Sequence, residues 1–106
     1  MSVVSMLRIP VRAGAEDDFV RTFAELGIFG HSRRSGGFRS GRLLRPLAAG
    51  EPFLVVAEWD DANAYQRWLD NPVREELRGR LDPLVGGDVG GGALYEEMLG
   101  ETGRGE

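Results

Sequence analysis

Three aromatic residues with polar tips lie close together in the second half of the chain, namely Trp59, Tyr65 and Trp68. They fall at the end of a predicted strand and in the helix that follows it. Most such groups are core, but buried tyrosine and tryptophan need partners for their polar atoms. The group therefore has two interpretations, a packed core and a pocket for a planar ligand.

His31 is the single histidine of the chain. Histidine is the side chain whose unperturbed pKa lies closest to neutrality, so His31 is a candidate general base. Its position between Gly30 and Ser32, just past the predicted first helix, is typical of a partly exposed loop histidine, which is the alternative interpretation.

The chain has no acidic residue between Leu26 and Gly50, although His31 and five arginines lie there: Arg33, Arg34, Arg39, Arg42 and Arg45. This stretch has two interpretations, a docking surface for an anion such as an acyl carrier protein or a phenolate, and a solvated strand face. Arg42 is predicted to share its strand face with Phe38, Ser40 and Leu44, and thus to point into a pocket.

The composition excludes several kinds of chemistry. Cysteine is absent, so disulfides, thiolate nucleophiles and cysteine-bearing metal sites are excluded. All 13 basic residues are arginine, so there is no lysine for a Schiff base or a phosphate loop. A single histidine excludes a multi-histidine metal site, and a net charge of −4 argues against a nucleic-acid partner.

The longest apolar run, Phe53 to Ala57, is far shorter than the roughly 20 residues of a membrane helix. The N-terminal residues lack the apolar stretch and the cleavage site of a secretion signal. We therefore expect a cytoplasmic protein with no membrane contact.

Periodicity and turn residues predict six elements. Alternating apolar residues mark the strands, and apolar residues three or four positions apart mark the helices. In chain order the elements are a strand from Val3 to Val11, a helix that ends near Gly27 to Gly30, strands from Phe38 to Leu47 and from Phe53 to Trp59, a helix that Asp60-Asp61 caps, and a last strand from Ala93 to Leu99.

Two features subdivide the second half of this pattern. Asn71-Pro72 interrupts the second helix, which restarts there and carries Leu77, Leu81 and Leu84 inward. The segment Gly86 to Gly92 is predicted to be a flexible connection before the last strand.

The order β-α-β-β-α-β predicts an α+β, ferredoxin-like fold, in which a four-stranded antiparallel sheet carries both helices on one face. Residues 1–99 are expected to form one domain and residues 100–106 a flexible tail. The third strand is apolar on both faces, so Leu54 and Val56 are left on the face without helices. We therefore expect a homodimer packed sheet to sheet, a dimeric α+β barrel; the alternative is an ordinary surface patch.

Three segments resemble the antibiotic biosynthesis monooxygenase family, and the resemblance spans residues 3 to 99. The segments are Pro10 to Phe19, Gly36 to Gly41, and Ala57 to Tyr65 continuing into Trp68 to Pro72. The resemblance implies the same ferredoxin-like dimer, and proteins of this fold also include polyketide cyclases and heme-degrading enzymes.

Family members that convert anthrone-type phenols to quinones use dioxygen as co-substrate and no metal, flavin or heme. Their pocket has an Asn and a Trp on the third strand, a Tyr at the start of the second helix and an Arg in its second half. The resemblance places these at Val55, Trp59, Tyr65 and Arg78, so the amide is replaced by an apolar side chain. The alternative for Arg78 is an ion pair with Glu75.

The heme-degrading branch of this fold has an axial His on the second helix and an Asn on the first strand. This sequence has Arg78 and Leu7 at the matching places. The resemblance therefore disfavours heme as the ligand.

The resulting hypothesis is a homodimeric, cofactor-independent monooxygenase that oxidises an anthrone-like aromatic polyketide to a quinone in antibiotic or pigment biosynthesis. Arg78 would stabilise the phenolate or peroxy anion, Tyr65 and Trp59 would hydrogen-bond substrate oxygens, Trp68 would form an apolar wall, and His31 or water would be the base.

Two alternatives remain at this point. One is an aromatic polyketide cyclase in which His31 and Arg42 steer an aldol closure. The other is a non-catalytic binder, favoured if Phe23, Phe38 and Trp68 fill the pocket.

Overall fold

The computed structural model describes residues 2–103, so the last three residues of the predicted tail lie outside the described part of the chain. The strands are β1 (Val3–Ile9), β2 (Phe38–Leu44), β3 (Phe53–Trp59) and β4 (Ala93–Glu96). The helices are α1 (Glu16–Leu26), α2 (Ile28–Ser35), α3 (Ala62–Leu69) and α4 (Val73–Leu81), and a 3-10 turn, Asp82–Leu84, follows α4.

The four strands form one antiparallel sheet in the order β2-β3-β1-β4. Both central strands are paired on two sides, and Trp59 at the end of β3 lies between Val3 of β1 and Phe38 of β2. This order and the β-α-β-β-α-β sequence of elements confirm the predicted ferredoxin-like fold.

The two faces of the sheet differ in burial because successive strand residues point to opposite sides. On the face that carries the helices, Phe53, Ala57 and Trp59 of β3 are buried. On the opposite, open face, Leu54 and Val56 are only partly buried. The structure thus confirms that β3 is apolar on both faces.

The first helix ends at Leu26, as predicted, but the expectation that His31 lies in a loop after it was wrong. Gly27 has a φ of +62° and ends α1, and a second helix, α2, begins at once. In the sequence, Gly27 and Gly30 indicate a loop rather than a helix, because glycine has a poor helix propensity. Contacts outside the helix stabilise it, since Ile28 and Phe29 pack against the hydrophobic core.

The ends of several other elements also differ from the prediction. β1 ends before Pro10, β2 ends before Arg45, and β4 ends at Glu96 rather than Leu99. Pro10 lacks the N–H that would continue the ladder. The cap and the break of the second helix are confirmed, because Asp61 Oδ1 accepts the Ala64 N–H at 2.9 Å and α4 begins after Pro72.

The prediction that Arg42 shares a strand face with Phe38 was wrong. The register between β2 and β3 shifts between Phe38 and Ser40, which is a β-bulge that changes the face of the residues after it. Phe38 therefore points toward the helices, whereas Arg42 pairs with Val56 and lies exposed on the open face.

Candidate functional site

A continuous row of aromatic rings runs along the helix-facing side of the sheet. Neighbouring rings in the row have centroids between 5.2 and 6.0 Å apart. In order of contact the rings are Tyr65, Trp59, Phe38, Phe29, Phe23, Phe19 and Phe53. Separations of this size are typical of offset and edge-to-face contacts that stabilise a core. Four residues predicted for the site, Trp59, Tyr65, Phe38 and Phe23, thus belong to one packed unit.

One end of this row forms what we call the Tyr65 cluster, which consists of Trp59, Tyr65, Trp68 and Arg74. Trp59 is only 1% exposed, and its indole N–H donates to the Ser5 hydroxyl at 3.0 Å. Since indole has a single donor, this hydrogen bond already satisfies the Trp59 N–H within the protein. A polar contact with a ligand in the cluster would therefore have to come from Tyr65 or Arg74.

The Tyr65 side chain is buried, with 8% of its surface exposed. Within residues 2–103 no side-chain hydrogen bond involves its hydroxyl. Burial raises the pKa of the Tyr65 hydroxyl, and the positive charge of Arg74 partly opposes that rise. The hydroxyl is thus a neutral donor at ordinary pH, with a cation close enough to influence it.

The two arginines of α4 near this cluster have different environments. Arg78 is exposed, and no ion pair between it and Glu75 is present in the part of the chain that the structure describes. Arg74 is half-buried, and its guanidinium carbon lies 5.8 Å from the centroid of the Trp68 ring. This is the geometry of a cation–π contact.

Arg74 was missed among the predicted site residues, although the sequence contains a signal for it. Arg74 precedes Leu77 by three positions and Leu81 by seven, and residues at these spacings share one face of a helix. Leu77 and Leu81 are both buried in the structure. A restart of the helix at Val73 therefore brings the Arg74 side chain to the same inward side of α4.

The remaining predicted residues lie elsewhere. Val55 is partly buried on the helix-facing side and pairs with Leu43. His31 lies on α2, and its Nδ1 is 2.9 Å from Nη2 of Arg34. Because arginine can only donate, Nδ1 accepts this hydrogen bond and we infer that the His31 proton is on Nε2. His31 would have to release Arg34 before it could act as a base.

An open groove of about 590 Å³ lies between α1, α2 and β2. Its lining is mostly apolar: Val20, Phe23, Ala24, Gly27, Ile28, Phe29, Gly30, Leu43 and Arg45. Arg45 is bound to Asp17 at 2.7 Å, and this contact lowers the pKa of the Asp17 carboxyl. The lining contains no His, Cys, Met or Tyr, the side chains that ligate heme iron.

The described residues offer neither a cluster of metal ligands nor a membrane-spanning helix. Between residues 2 and 103 no group of three His, Cys, Asp or Glu side chains is arranged to hold a metal ion. Over the same range, no helix combines the length and the apolar character needed to cross a membrane.

Gly92 gives a test of the packing around Tyr65. A methyl group at Gly92 would overlap the Tyr65 hydroxyl. We expect Gly92→Ala to lower the free energy of unfolding by about 1–3 kcal/mol, as overpacking does. Because the overlapping atom is the hydroxyl, most of this cost should disappear in a Tyr65→Phe background. Urea unfolding of the four proteins in this cycle measures the effect.

A matched control is available in the same loop. A Cβ at Gly91 meets nothing within 4 Å, so Gly91→Ala should change stability little. An equal cost of Gly92→Ala with and without the hydroxyl would contradict the contact.

Comparison with known proteins shows what this chain is similar to. A family model described as "Antibiotic biosynthesis monooxygenase" matches residues 2–79. The "Heme oxygenase (mycobilin-producing)" of Mycobacterium tuberculosis is 34% identical over 89 residues, which are 82% of this chain and 82% of that protein.

Two solved structures show the same similarity in three dimensions. SnoaB, a cofactor-independent oxygenase from Streptomyces nogalater, is 25% identical with a TM-score of 0.74, over 93% of this chain and 95% of its own. MhuD, a heme-degrader from Mycobacterium tuberculosis with two hemes in its active site, is 30% identical with a TM-score of 0.75, over 94% and 99%. Oxygenases with and without heme thus share this fold.

Proposed function

The chain belongs to the antibiotic biosynthesis monooxygenase family, and on that basis we propose that it oxidises an electron-rich, fused-ring phenol of the polyketide type to a quinone, with dioxygen and without a bound cofactor. The observation that carries this proposal is the Tyr65 cluster. It offers one buried hydroxyl and one half-buried cation beside two indole rings. This group of side chains suits a flat ligand that carries a phenolic oxygen.

The proposed reaction draws its electrons from the substrate. An anthrone-like phenol loses a proton to water and becomes an electron-rich anion. This anion reacts with dioxygen to form a carbon-bound peroxide, which takes a proton back from water to become a hydroperoxide. Loss of water from this hydroperoxide leaves one oxygen atom as the quinone carbonyl, and the two hydrogens of the oxidised carbon leave with the other. The protein then has to supply shape, a hydrogen-bond donor and charge stabilisation.

The residues of the chain take different parts in this proposal. We assign hydrogen bonding of the substrate oxygen to Tyr65, and the apolar walls to Trp68 and Phe38. Trp59 packs against the Phe38 and Tyr65 rings, and we assign it no hydrogen bond with the substrate, because its N–H is bound to Ser5. Arg78 is exposed, and His31 is held by Arg34, so we assign neither a contact with the substrate rings, and water is the proposed base.

Oxygen uptake tests this function. Metal-free purified protein is given dithranol, a reduced anthrone, and uptake is compared with spontaneous oxidation in buffer. We expect acceleration, and we expect Tyr65→Phe to lower the accelerated rate by about 100-fold, as loss of an oxyanion donor does. Tyr95→Phe is the matched control, because the Tyr95 side chain is 54% exposed. Uptake no faster than in buffer would contradict the proposal.

Heme degradation is the second candidate, because the heme oxygenase relative favours it. Heme iron takes a His, Cys, Met or Tyr as axial ligand. This chain has no cysteine, and its one histidine lies on α2 in contact with Arg34. Burial raises the pKa of the Tyr65 hydroxyl and so disfavours the phenolate form that would bind iron, which means that the donor set fits heme poorly. Stoichiometric binding in a heme titration, followed by loss of the heme absorption with reductant and dioxygen, would move the assignment to this activity.

The two residues proposed for the cyclase alternative lie on opposite sides of the sheet. His31 lies on α2 in the helix layer, whereas Arg42 lies on the open face of the sheet. The sheet therefore separates the two side chains within one chain, and they cannot steer the same aldol closure there. The non-catalytic binder remains the outcome that an absence of oxygen uptake would favour.

We propose two partners for this enzyme. The first is a second copy, which would cover the partly buried apolar residues Leu54 and Val56 on the open face. The second is an acidic acyl carrier protein, which would deliver the substrate to the exposed arginines at the end of α2, Arg33 and Arg34.

A further inference from the structure

Residues 87–92, which we call the glycine segment, cover the hydroxyl of Tyr65. A Cβ added at Gly92 would overlap that hydroxyl and would lie 3.3 Å from the Tyr65 Cζ atom. Gly92 is itself partly buried, whereas residues 87–91 are exposed. The buried hydroxyl of the Tyr65 cluster is therefore closed off on this side by the backbone of a surface segment.

The two ends of the glycine segment are anchored on β1 and on the residue that follows it. Before the segment, the N–H of Gly86 donates to the carbonyl of Pro10 at 2.8 Å. After it, Ala93 pairs with Met6 at the end of the ladder between β1 and β4. In the described part of the chain, residues 87–92 make no backbone hydrogen bond and form no helix or strand. The backbone of the segment is thus hydrogen-bonded on either side of it but not within it.

The glycine segment is longer than the distance that it has to span. Met6 and Pro10 are four positions apart along the extended chain, which corresponds to about 13 Å at roughly 3.3 Å per residue. The chain from Gly86 to Ala93 has seven steps and can reach about 23 Å when it is extended. The segment can therefore move away from Tyr65 while both anchors stay in place.

The folded conformation does not require glycine at positions 90 and 91. A Cβ at either position meets nothing within 4 Å. Neither Gly90 nor Gly91 has a positive φ, so alanine can adopt the same backbone conformation. Each glycine nevertheless costs conformational entropy on folding, and no contact or turn at these two positions offsets that cost. What glycine provides here is the freedom of the backbone to move.

We propose that the glycine segment is a lid over the Tyr65 cluster, which swings outward between its two anchors and admits a planar phenol beside the start of β4. The identity of this ligand rests on the proposed function. In the closed form, Gly92 occupies the space beside the Tyr65 hydroxyl that an oxygen of the ligand needs. The ligand therefore binds the open form, and the open fraction of the protein limits the apparent rate of association.

The first experiment measures opening of the lid without any ligand. Tetranitromethane nitrates tyrosine rings that it can reach, and a Tyr95→Phe background leaves Tyr65 as the one tyrosine of the chain. The double variant Gly90→Ala/Gly91→Ala should slow nitration of Tyr65 by about twofold to fivefold for each glycine, because alanine reduces the conformational freedom that the segment gains on opening. An unchanged rate in the double variant would overturn the lid.

Gly79→Ala is the matched control for these substitutions. Gly79 is an exposed glycine on α4, and a Cβ there also meets nothing within 4 Å. Alanine at this position favours the helix but does not touch the lid, so it should leave the nitration rate unchanged. Urea unfolding should show that neither variant is less stable than the parent protein. Equal slowing by Gly79→Ala would show that nitration proceeds through global unfolding, and it would overturn the lid.

The second experiment measures entry of a ligand and does not depend on oxygenase activity. The probe is 1,8-dihydroxyanthraquinone, a planar phenol that should quench the fluorescence of Trp59 and Trp68 when it binds beside them. In stopped-flow mixing, the double variant should slow association by the same factor as nitration, because both require the open form. Dissociation should keep the rate of the parent protein, because the segment stays displaced while the probe is bound.

The outcomes separate the lid from the proposed function. Nitration and association that the double variant slows by one factor, in a protein that does not accelerate oxygen uptake, support the lid and contradict the oxygenase. Accelerated oxygen uptake in a protein whose nitration and association rates are the same in the double variant supports the oxygenase and overturns the lid.

Discussion

Replacing Trp59 with alanine is expected to lower the free energy of unfolding by about 3–5 kcal/mol, as truncation of a buried aromatic side chain does. The Trp59 ring is 1% exposed and lies between Phe38, at a centroid distance of 5.3 Å, and Tyr65, at 5.6 Å. Its removal would leave a cavity in the middle of the aromatic row. Urea unfolding followed by far-ultraviolet circular dichroism measures the loss.

The polar part of this effect can be separated from the packing part. Trp59→Phe keeps a ring but removes the donor to the buried Ser5 hydroxyl, which should cost about 1–3 kcal/mol. Ser5→Ala added to Trp59→Phe should recover part of that cost, because both partners are then apolar. A loss below about 1 kcal/mol for Trp59→Ala would contradict the burial of this ring.

Replacing Val56 with aspartate is expected to convert the proposed dimer into a monomer. Val56 lies on the open face in the middle of β3, opposite Met6 on one side and Arg42 on the other. In a dimer packed sheet to sheet, two carboxylates near the symmetry axis would be removed from water and would repel each other, and a pair with Arg42 across the strands would offset only part of this cost. Sedimentation equilibrium of wild type and variant at micromolar concentration measures the change.

Val89→Asp is the matched control for this substitution. Val89 is an exposed valine in the connection between α4 and β4, outside the strands that form the open face, so its replacement should leave the dimer intact. A wild-type protein that is monomeric at these concentrations would contradict the proposed dimer. So would a Val56→Asp variant that remains dimeric.

The strands and most helices could be predicted because their signals are local. The continuous apolar run from Phe53 to Ala57 marks β3, and Asp61 caps α3 with its own side chain. The helix α2 could not be predicted in this way, because its stability comes from Ile28 and Phe29 packing on distant residues. Local propensity at Gly27 and Gly30 indicates a loop, and tertiary packing overrides it.

The candidate site was only partly predictable for a related reason. Its aromatic members are conspicuous in the sequence, whereas their contacts depend on residues far apart in the chain. The hydrogen bond of Trp59 is made with Ser5, and the space for the Tyr65 hydroxyl depends on Gly92. A bulge of one residue in β2 decided that Arg42 lies on the other face.

By itself, the sequence determined the order of the elements other than α2, the ferredoxin-like topology and the apolar character of both faces of β3. Periodicity and capping are properties of neighbouring residues, so no tertiary information is needed to read them. Only the tertiary structure decided that Arg74 lies half-buried against the Trp68 ring, whereas Arg78 is exposed. The physical reason is that the burial and the electrostatic partners of a side chain depend on how α3 and α4 pack together.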